Sequence, residues 1–388
     1  VFLFLNFQTM LTTPAVSICS WNLKNFSRNS RSDSEIALIA MAVARYDLVA
    51  LQEIRTDDQA VKAMIDILKK DFGLSFDFIV SEPIGTERER YAFVWRTDKF
   101  DRGSIEPFFY PDKSEDFVRD PFCASFDSKH FLKNLILCTQ HAIFGMSRQP
   151  REEEAKHLKD VFTHAKTKLG SKKGHVIILG DFNLEPENTA WQPLRDLKLK
   201  PAIVAPQKTT VGSVSLYDNI WLDETLAEKS FQNGLGNVFE FDNYFFAPNS
   251  VDVVRRTVSD HRPIVVYIEA SDKNSFDSEI PKFAPEIKET SGASIGSWNM
   301  GKSNLNENFP SSIGVLATIL MRFTILSIQN ANKFELESAL NALHNEFKAG
   351  VFEYVYEEAT QLAIVWRADQ VSSNENFDSN PMCGLFKF

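Results

Sequence analysis

The sequence lacks any long apolar run. No stretch approaches the roughly 20 apolar residues that a membrane-spanning helix needs, so no membrane span is expected. The opening residues 1–7 (VFLFLNF) are apolar, but they follow no basic segment and are shorter than a usual secretion signal. These features favour a soluble chain with an intracellular location.

Cysteine and excess positive charge are also scarce. The 388 residues contain four cysteines without a C-x-x-C pair or a zinc-ligand spacing. Cys19 and Cys138 lie in apolar runs, which predicts buried free thiols and no disulfide framework. The formal net charge of −10 argues against binding nucleic acid through the overall field. DNA remains open as a substrate, because a local site can still gather cations.

Short apolar runs alternate with helical patterns along most of the chain. The runs are rich in β-branched and aromatic residues and predict buried strands, and their alternation with helices predicts an α/β layered domain. The predicted strands are 16–23, 47–54, 91–96, 131–144, 175–183, 216–222 and 262–270. The predicted helices are Ser34–Arg45, Thr56–Lys70 and Arg151–Leu169.

The end of the chain repeats its beginning. The segment SICSWNL at 17–23 returns as SIGSWNM at 294–300, and YDLVALQEI at 46–54 returns as FTILSIQNA at 323–331. Asn22 to Asn299 and Glu53 to Asn330 both span 277 positions (299 − 22 and 330 − 53). A constant offset of this kind predicts a truncated second copy. The expected organisation is a catalytic domain at 12–270, a polar linker at 271–291 and a partial repeat at 292–388.

Polar residues cluster where the predicted strands of the first copy end, which is where an α/β site is built. Several carboxylates there would repel one another without a cation between them. Oxygen ligands of this kind suit Mg²⁺ or Mn²⁺, with Ca²⁺ as an alternative structural ion. The polar strand-end residues are Asn22, Glu53, Asp181, Asn183, Asp218, Asp260 and His261.

Several short motifs stand in sequence around these strand ends: SWNLKNF, LQEIR, SEPIG with ERY, RDP, TQHA, GDFN, LYDNI and SDHRPI. In their order along the chain, these motifs resemble the endonuclease/exonuclease/phosphatase superfamily, and within it deoxyribonuclease I. The resemblance covers about residues 16–270 and implies a four-layered α/β sandwich of the deoxyribonuclease I-like kind.

Within this resemblance, Glu53 is implied as the principal metal ligand, and Asn22, Asp181 and Asp260 complete or flank the metal shell. Metal ligation of this kind neutralises charge on a phosphate undergoing attack.

The resemblance also implies two histidine–carboxylate pairs, with His141 oriented by Glu89 and His261 by Asp218. One pair activates water and the other protonates the leaving oxygen, and the sequence leaves open which does which. Asn183 and Arg119 are implied to hold phosphate oxygens. The implied catalytic set is Glu89, His141, Asp218, His261, Asp181 and Asn183.

Two basic residues, Lys24 and Arg55, match groove contacts of the family with DNA. Glu87, however, stands where deoxyribonuclease I carries a tyrosine that packs in the minor groove. The cysteines that form the family's disulfides are also missing. These departures weigh against groove stacking and against the secreted, disulfide-stabilised form of the enzyme.

The second copy has lost the charged site residues. Glu53 corresponds to Asn330, Tyr91 to Leu362 and Arg119 to Ser379, and no GDFN or SDH segment follows. Such a half domain cannot cleave a phosphodiester, and an apolar face left by its missing half predicts self-association through residues 292–388.

Three functions stay open on the sequence. The favoured one is a metal-dependent DNA endonuclease of low sequence specificity. A phosphatase or phosphodiesterase acting on a lipid or small phosphate ester is the alternative within the same superfamily. A non-enzymatic binding protein is the third, and the acidic and histidine positions retained in the first copy argue against it.

Overall fold

The computed structural model describes residues 15–230, 234–242, 251–269, 295–299, 320, 325–329, 333–341, 343–344, 351–368, 372–373 and 386–387. By its internal contacts the chain divides into two compact units. Unit 1 takes the described parts of Val1–Ser30, Ala42–Glu240 and Ser259–Asp277, and unit 2 those of Arg31–Met41, Phe241–Val258 and Ser278–Phe388.

Unit 1 contains most of the regular structure. Its strands are β1 Ala15–Phe26, β2 Leu48–Ile54, β3 Phe76–Val80, β4 Arg90–Arg96, β5 Phe100–Arg102, β6 Phe108–Phe109, β7 Phe122–Ser128, β8 Leu135–His141, β9 His175–Asp181, β10 Leu199–Pro201, β11 Asp218–Asp223, β12 Asn237–Val238 and β13 Ile264–Glu269. The helices named α1 to α6 along the chain are α1 Asp33–Val43, α2 Gln59–Phe72, α3 Gln149–Leu169, α4 Gln192–Asp196, α5 Glu224–Glu228 and α6 Val251–Thr257; α6 and most of α1 belong to unit 2.

Two sheets form the centre of unit 1. Sheet one has the order β12-β13-β1-β2-β4-β3, and sheet two the order β10-β11-β9-β8-β7-β5, with β6 paired to β7. β1 and β2 run parallel, as do β8 and β9. Alternate residues of each strand meet between the sheets, where Ile18 and Leu48 of sheet one share a buried cluster with Leu137 and Ile177 of sheet two. The two-residue period of a strand gives each sheet this single inward face.

Helices cover the outer faces. The outward residues of sheet two pack on α3, so that Ile136 and Ile178 share a second buried cluster with Leu158 and Val161. α2 contacts β3 of sheet one and buries Ala60, Val61, Met64 and Leu68. The fold is the predicted α/β sandwich. Among the described helices, none combines the length and the apolar composition needed to cross a membrane.

Unit 2 contains a separate four-stranded sheet, sheet three. Its strands are β14 Ile295–Asn299, β15 Ile325–Gln329, β16 Phe352–Glu357 and β17 Leu362–Arg367, in the order β14-β15-β17-β16. Helix α7 (Lys333–Asn341) follows β15, and β18 (Ser372–Ser373) pairs with β19 (Phe386–Lys387). Elsewhere in unit 2, Nη2 of Arg31 donates to the carbonyl oxygen of Val258 at 3.1 Å.

The register of sheet three matches that of β1-β2-β4-β3 in sheet one. Ile18 pairs with Leu48 in the parallel pair of sheet one, and Ile295 pairs with Ile325 in sheet three; both positions are offset by 277 (295 − 18 and 325 − 48). The antiparallel pairs agree as well, with Leu48 opposite Trp95 and Ile325 opposite Trp366. The linker predicted at 271–291 and the substituted positions 330 and 379 lie outside the described residues.

Several sequence expectations need correction. The strand predicted over 131–144 is restricted to Leu135–His141. At its start, Asn134 has a left-handed φ of 52°, which interrupts the extended backbone before Leu135. The strand β7 was not predicted. Cys138, expected to be a free thiol, forms a disulfide with Cys123, since the register of β7 and β8 sets the two residues opposite each other. Cys19 is buried and free, as predicted.

Candidate active site

Bulges in β1 and β2 place the first site residues. The register between these strands shifts between Asn22 and Phe26, and that between β2 and β4 shifts between Leu51 and Ile54. At the bulges, Lys24 has a φ of 47° and Glu53 a φ of 59°. Non-glycine residues rarely adopt this left-handed conformation, and such strain concentrates at functional sites. The bulges turn the Glu53 carboxylate out of the sheet alternation and towards Asn22, whose Nδ2 donates to Oε1 at 3.0 Å.

A glycine allows β9 to deliver Asp181. Gly180 has a φ of 148°, and a Cβ at this position would lie 1.9 Å from the carbonyl oxygen of Gln140 on β8. Only glycine permits this approach, which explains the first residue of GDFN. Asp181 then ends β9 opposite His141, the last residue of β8.

Asp181 is the centre around which the site residues converge. Its Oδ2 accepts a hydrogen bond from Nδ2 of Asn22 at 3.0 Å. The same oxygen lies 3.4 Å from Nε2 of His261 and 3.8 Å from Nε2 of His141. The side chain is 1% exposed. Two imidazole nitrogens and two carboxylates, with Glu53 linked through the Asn22 amide, therefore share one small region.

His141 is held by Glu89, as the predicted pairing requires. Nδ1 of His141 lies 2.7 Å from Oε2 of Glu89, and Oε1 of Glu89 lies 3.0 Å from Nη2 of Arg119. The hydroxyl oxygen of Tyr91 accepts from the backbone N–H of His141 at 3.1 Å. Glu89 is 1% exposed, although its charged surroundings in TERERY also allowed a solvated side chain. These contacts leave Nε2 as the nitrogen of His141 that faces Asp181.

His261 is held in the same way by Asp218. Its Nδ1 lies 2.8 Å from Oδ2 of Asp218, and Oγ of Ser259 accepts from its backbone N–H at 3.0 Å. The carbonyl oxygen of His261 accepts from Nε1 of Trp21 at 2.8 Å. The backbone of His261 is thus fixed at its N–H and carbonyl groups and the ring at Nδ1, again with Nε2 towards Asp181.

Each histidine–carboxylate pair spans the two sheets. Glu89 immediately precedes β4 of sheet one, whereas His141 ends β8 of sheet two. In the other pair, Asp218 begins β11 of sheet two and His261 lies shortly before β13 of sheet one. The site therefore forms only where the two sheets pack together.

The electrostatics of the first pair favour charge on both partners. Burial by itself lowers the pKa of His141, but its hydrogen bond with Glu89 and the nearby Asp181 carboxylate outweigh burial and raise that pKa. Burial pushes the pKa of Glu89 upwards, yet the hydrogen bond from His141 and the charge of Arg119 bring it below its usual value. The two shifts agree with an imidazolium facing a carboxylate.

The second pair lies in a more acidic setting. Burial lowers the pKa of His261, but the carboxylates of Asp181 and Asp218 overcome it and raise that pKa well above its ordinary value. Burial also raises the pKa of Asp218 to about 6, against the opposing charge of His261. The raised pKa of His261 favours its imidazolium form.

The donor set fits a divalent cation. Asp181, Asp218 and His261 offer ligand atoms that all lie within 4.8 Å of one another, and Oδ1 of Asp218 is buried without a hydrogen-bond partner among the described residues. Oδ2 of Asp218 already binds His261, so this carboxylate is committed to the histidine. Asp181 and Glu53, joined through the Asn22 amide, are the carboxylates better suited to holding an ion.

Asp260 is placed differently from the other predicted metal ligands. Its Oδ2 lies 3.0 Å from Nζ of Lys24, and both side chains are about one-third exposed at 36%. Asp260 therefore lies at the rim of the site and forms an ion pair with a predicted DNA contact.

Arg119 and Asn183 line the site beside His141. Nη1 of Arg119 donates to the carbonyl oxygens of His141 and Ala142 at 3.2 and 3.4 Å. Nδ2 of Asn183 donates to the same carbonyl of Ala142 at 3.1 Å, and its backbone N–H donates to Asp181 at 3.0 Å. Like Glu53, Asn183 has a left-handed φ, of 51°.

Supporting residues escaped the sequence reasoning. Ser259 and Tyr91 lie within the SDH and ERY motifs, so the motifs contained a signal for them. Glu154 of α3 had none: it is 3% exposed and accepts from the backbone N–H groups of Val118 and Ile143, both at 2.9 Å. It thereby joins the loop that bears Arg119 to the segment that follows His141.

Known proteins resemble this chain in sequence and in fold. A sequence profile described as Endonuclease/Exonuclease/phosphatase family matches residues 19–261, which include every residue of the two histidine–carboxylate pairs. The chain belongs to the endonuclease/exonuclease/phosphatase family. Among its relatives in this family, a "Deoxyribonuclease" of Thioalkalivibrio sp. (strain K90mix) is 26% identical over 267 residues, covering 66% of this chain and 71% of the relative.

Other family members are similarly distant in sequence. "Deoxyribonuclease-1" of Bos taurus is 26% identical over 265 residues, covering 65% of this chain and 92% of its own length. A crystal structure of an endonuclease/exonuclease/phosphatase family protein from Bacteroides thetaiotaomicron aligns with a TM-score of 0.50 at 19% identity, covering 67% of this chain and 100% of the other. That likeness establishes the fold of the family in this chain.

Proposed function

We propose that the chain is a metal-dependent endonuclease that hydrolyses phosphodiester bonds in DNA with little sequence preference. The observation that carries the proposal is the convergence of two carboxylate-bound histidines on Asp181, with Nε2 of His261 and His141 at 3.4 and 3.8 Å from its Oδ2. Relatives named deoxyribonucleases at about 26% identity support the choice of DNA as substrate.

Each site residue has its own role in the proposed reaction. Glu89 and Asp218 each hold the Nδ1 side of a histidine, so that each Nε2 is available to exchange a proton with a reacting oxygen. One histidine takes a proton from water and the other gives one to the leaving oxygen. Arg119 and Asn183 are proposed to contact phosphate oxygens at the same place.

Asp181, Glu53 and Asn22 would hold the divalent ion, with Asp260 at the rim. A bound Mg²⁺ or Mn²⁺ supplies neutralisation of the negative charge that develops on the phosphate. This role agrees with the donor chemistry of the site, which offers mainly oxygen atoms.

A nicking assay on supercoiled plasmid tests the proposal. We expect nicking with Mg²⁺, its loss in excess EDTA and its return when Mg²⁺ is restored, because the chemistry requires the cation. Asp181→Asn and Glu53→Gln should abolish nicking, while Glu82→Gln, a substitution at a side chain 89% exposed, should not. A parallel assay of phosphate release from phosphoinositides covers the alternative substrate class. Nicking that persists after the metal is stripped would refute the mechanism.

We also propose that residues 292–388 are a truncated, catalytically inactive repeat of the first half of the domain. The shared register of sheet three with β1-β2-β4-β3 supports this assignment, since pairings in both parallel and antiparallel strands agree. Leu362 in place of Tyr91 removes the hydroxyl that binds the His141 backbone. The repeat is proposed to add no ligand to the site.

A further inference from the structure

The guanidinium of Arg55 is largely engaged by the protein itself. Its Nε donates to Oδ1 of Asn25 at 2.7 Å, and its Nη1 to the carbonyl oxygen of Glu87 at 2.7 Å. Its Nη2 donates to the carboxylates of Glu87 at 2.8 Å and Glu89 at 3.2 Å. These four bonds use four of the five N–H groups that an arginine carries. A phosphate that binds Arg55 through two N–H groups must therefore displace one of these partners.

The two carboxylates on Arg55 differ in how readily they leave. Glu89 is 1% exposed and also binds Arg119 and His141, so it is fixed by the site. The Glu87 side chain is 62% exposed and lies on the turn between β3 and β4, next to the bridge that joins Ile84 to Glu89. An exposed ion pair of this kind contributes little free energy. Glu87 is the partner that an incoming anion would replace.

We propose that Glu87 is a specificity-determining residue, which competes for Arg55 with a substrate phosphate that flanks the bond to be cleaved. A phosphate oxyanion carries negative charge like the carboxylate and likewise accepts hydrogen bonds from a guanidinium. Replacing the Glu87 carboxylate with a phosphate on Arg55 therefore changes the free energy of binding little. Arg55 accordingly adds little to the binding of a polyanion. A substrate without a flanking phosphate does not enter this competition. The inference rests on the proposed function, because it assumes a polymeric phosphodiester substrate.

The test compares Glu87→Gln with Glu82→Gln. Both substitutions remove one negative charge from the same loop, but Glu82 lies 3.9 Å from Arg90 and does not contact Arg55. KM and kcat are measured on a DNA duplex of about 20 base pairs and on bis(4-nitrophenyl) phosphate, from about 50 to 200 mM salt. For Glu87→Gln we expect the duplex KM to fall about three- to tenfold, with a salt dependence steeper by up to about one charge. The small ester should show no such fall, nor should Glu82→Gln on either substrate.

A double variant distinguishes competition for Arg55 from a general charge effect. In an Arg55→Ala background, Glu87→Gln should no longer lower the duplex KM; if Arg55→Ala does not fold, Arg55→Gln replaces it. A KM reduction that survives loss of Arg55, that appears equally with the small ester, or that Glu82→Gln reproduces would overturn the proposal. So would an unchanged duplex KM in Glu87→Gln.

Failure of the proposed function has a different signature. If the wild-type chain cleaves no DNA, the proposed function is wrong. The competition between Glu87 and phosphate for Arg55 is then judged from dissociation constants for the DNA duplex, measured by fluorescence anisotropy in EDTA. A tighter complex for Glu87→Gln that depends on Arg55 would still support the role of Glu87. Equal dissociation constants for the two proteins would refute it.

Discussion

Sheet one and sheet three show what the same strand pairings achieve with and without polar strand ends. In both, a parallel pair is followed by two antiparallel neighbours in the same register. Apolar residues such as Leu48 and Ile325 occupy equivalent buried positions. Within the described parts of the chain, sheet one alone belongs to a unit in which bulges, a buried tyrosine and a second sheet bring charged groups together. The comparison teaches that an apolar strand pattern specifies pairing, whereas chemistry depends on a few residues just past the strand ends.

The contrast at one equivalent pair shows how small the difference is. Tyr91 of sheet one occupies the position equivalent to Leu362 of sheet three. Its hydroxyl oxygen accepts a hydrogen bond from the backbone N–H of His141. Leu362, its counterpart in sheet three, extends β17 with a side chain that has no donor or acceptor. Strand pairing tolerates the exchange, because the ladder uses only backbone groups.

The largest expected effect comes from the two histidines of unit 1. His141→Ala and His261→Ala should each lower kcat for plasmid nicking by roughly a hundredfold or more, which is the scale of general acid–base catalysis. His130→Ala is the matched control, because that exposed histidine lies outside the site. Circular dichroism should show folded variants. Near wild-type turnover of either site variant would mean that the histidine roles are misassigned.

A smaller effect is expected from Lys24, the basic residue at the rim of the site. Lys24→Ala should weaken duplex binding and reduce the slope of log affinity against log salt by about one unit, while kcat changes little. Because Nζ of Lys24 is paired with Asp260 at 3.0 Å, a reduction of the slope by about one unit is the upper limit. Lys173→Ala removes a charge before the start of β9, at the opposite end from Asp181, and should leave the slope unchanged. A slope equal to that of wild type in Lys24→Ala would remove this residue from the DNA surface.

A modest dependence of stability on pH follows from His261. Its folded pKa is raised, so the stability it contributes is fully present below its unfolded pKa of about 6.5. That contribution is lost as pH rises through the higher folded value. In EDTA, the difference in Tm between wild type and His261→Ala should be larger near pH ~6.5 than near pH ~9. A difference that grows with pH would contradict the assigned imidazolium.

The smallest effect on catalysis is expected from removing sheet three altogether. A chain that ends at residue 291 should keep the nicking kcat of the full chain, because every proposed site residue lies in unit 1. Its association state should change if residues 292–388 mediate self-association, which analytical ultracentrifugation measures. A folded but inactive product would show that the segment assists catalysis.

Much of the site was predictable because its residues stand in contiguous motifs. Strand ends such as Asp181 follow an apolar run directly, and the pairing of His141 with Glu89 followed from the family resemblance. The left-handed φ of Glu53 was not predictable, since it depends on a bulge between neighbouring strands. The Cys123–Cys138 bond likewise required the register of β7 and β8.

Other features arise only from tertiary contacts. Glu154 has no motif, because the N–H groups it binds come from two loops that are distant in sequence. The number of Arg55 N–H groups that the protein engages depends on the turn that carries Glu87. A sequence pattern reports which residue types are present, but the number of partners that a side chain has already engaged is a property of the folded chain.

The placement of each histidine and its carboxylate on opposite sheets has a consequence during protein synthesis. Glu89 and His141 have both left the ribosome long before His261, which follows Asp218 by 43 residues. A nascent chain therefore carries one complete pair and an unmatched Asp218 until β13 emerges and closes sheet one against β1. An enzyme proposed to cut DNA would in this way stay inert until β13 has been synthesised, and its cleavage chemistry would begin only when this last strand of the sandwich docks.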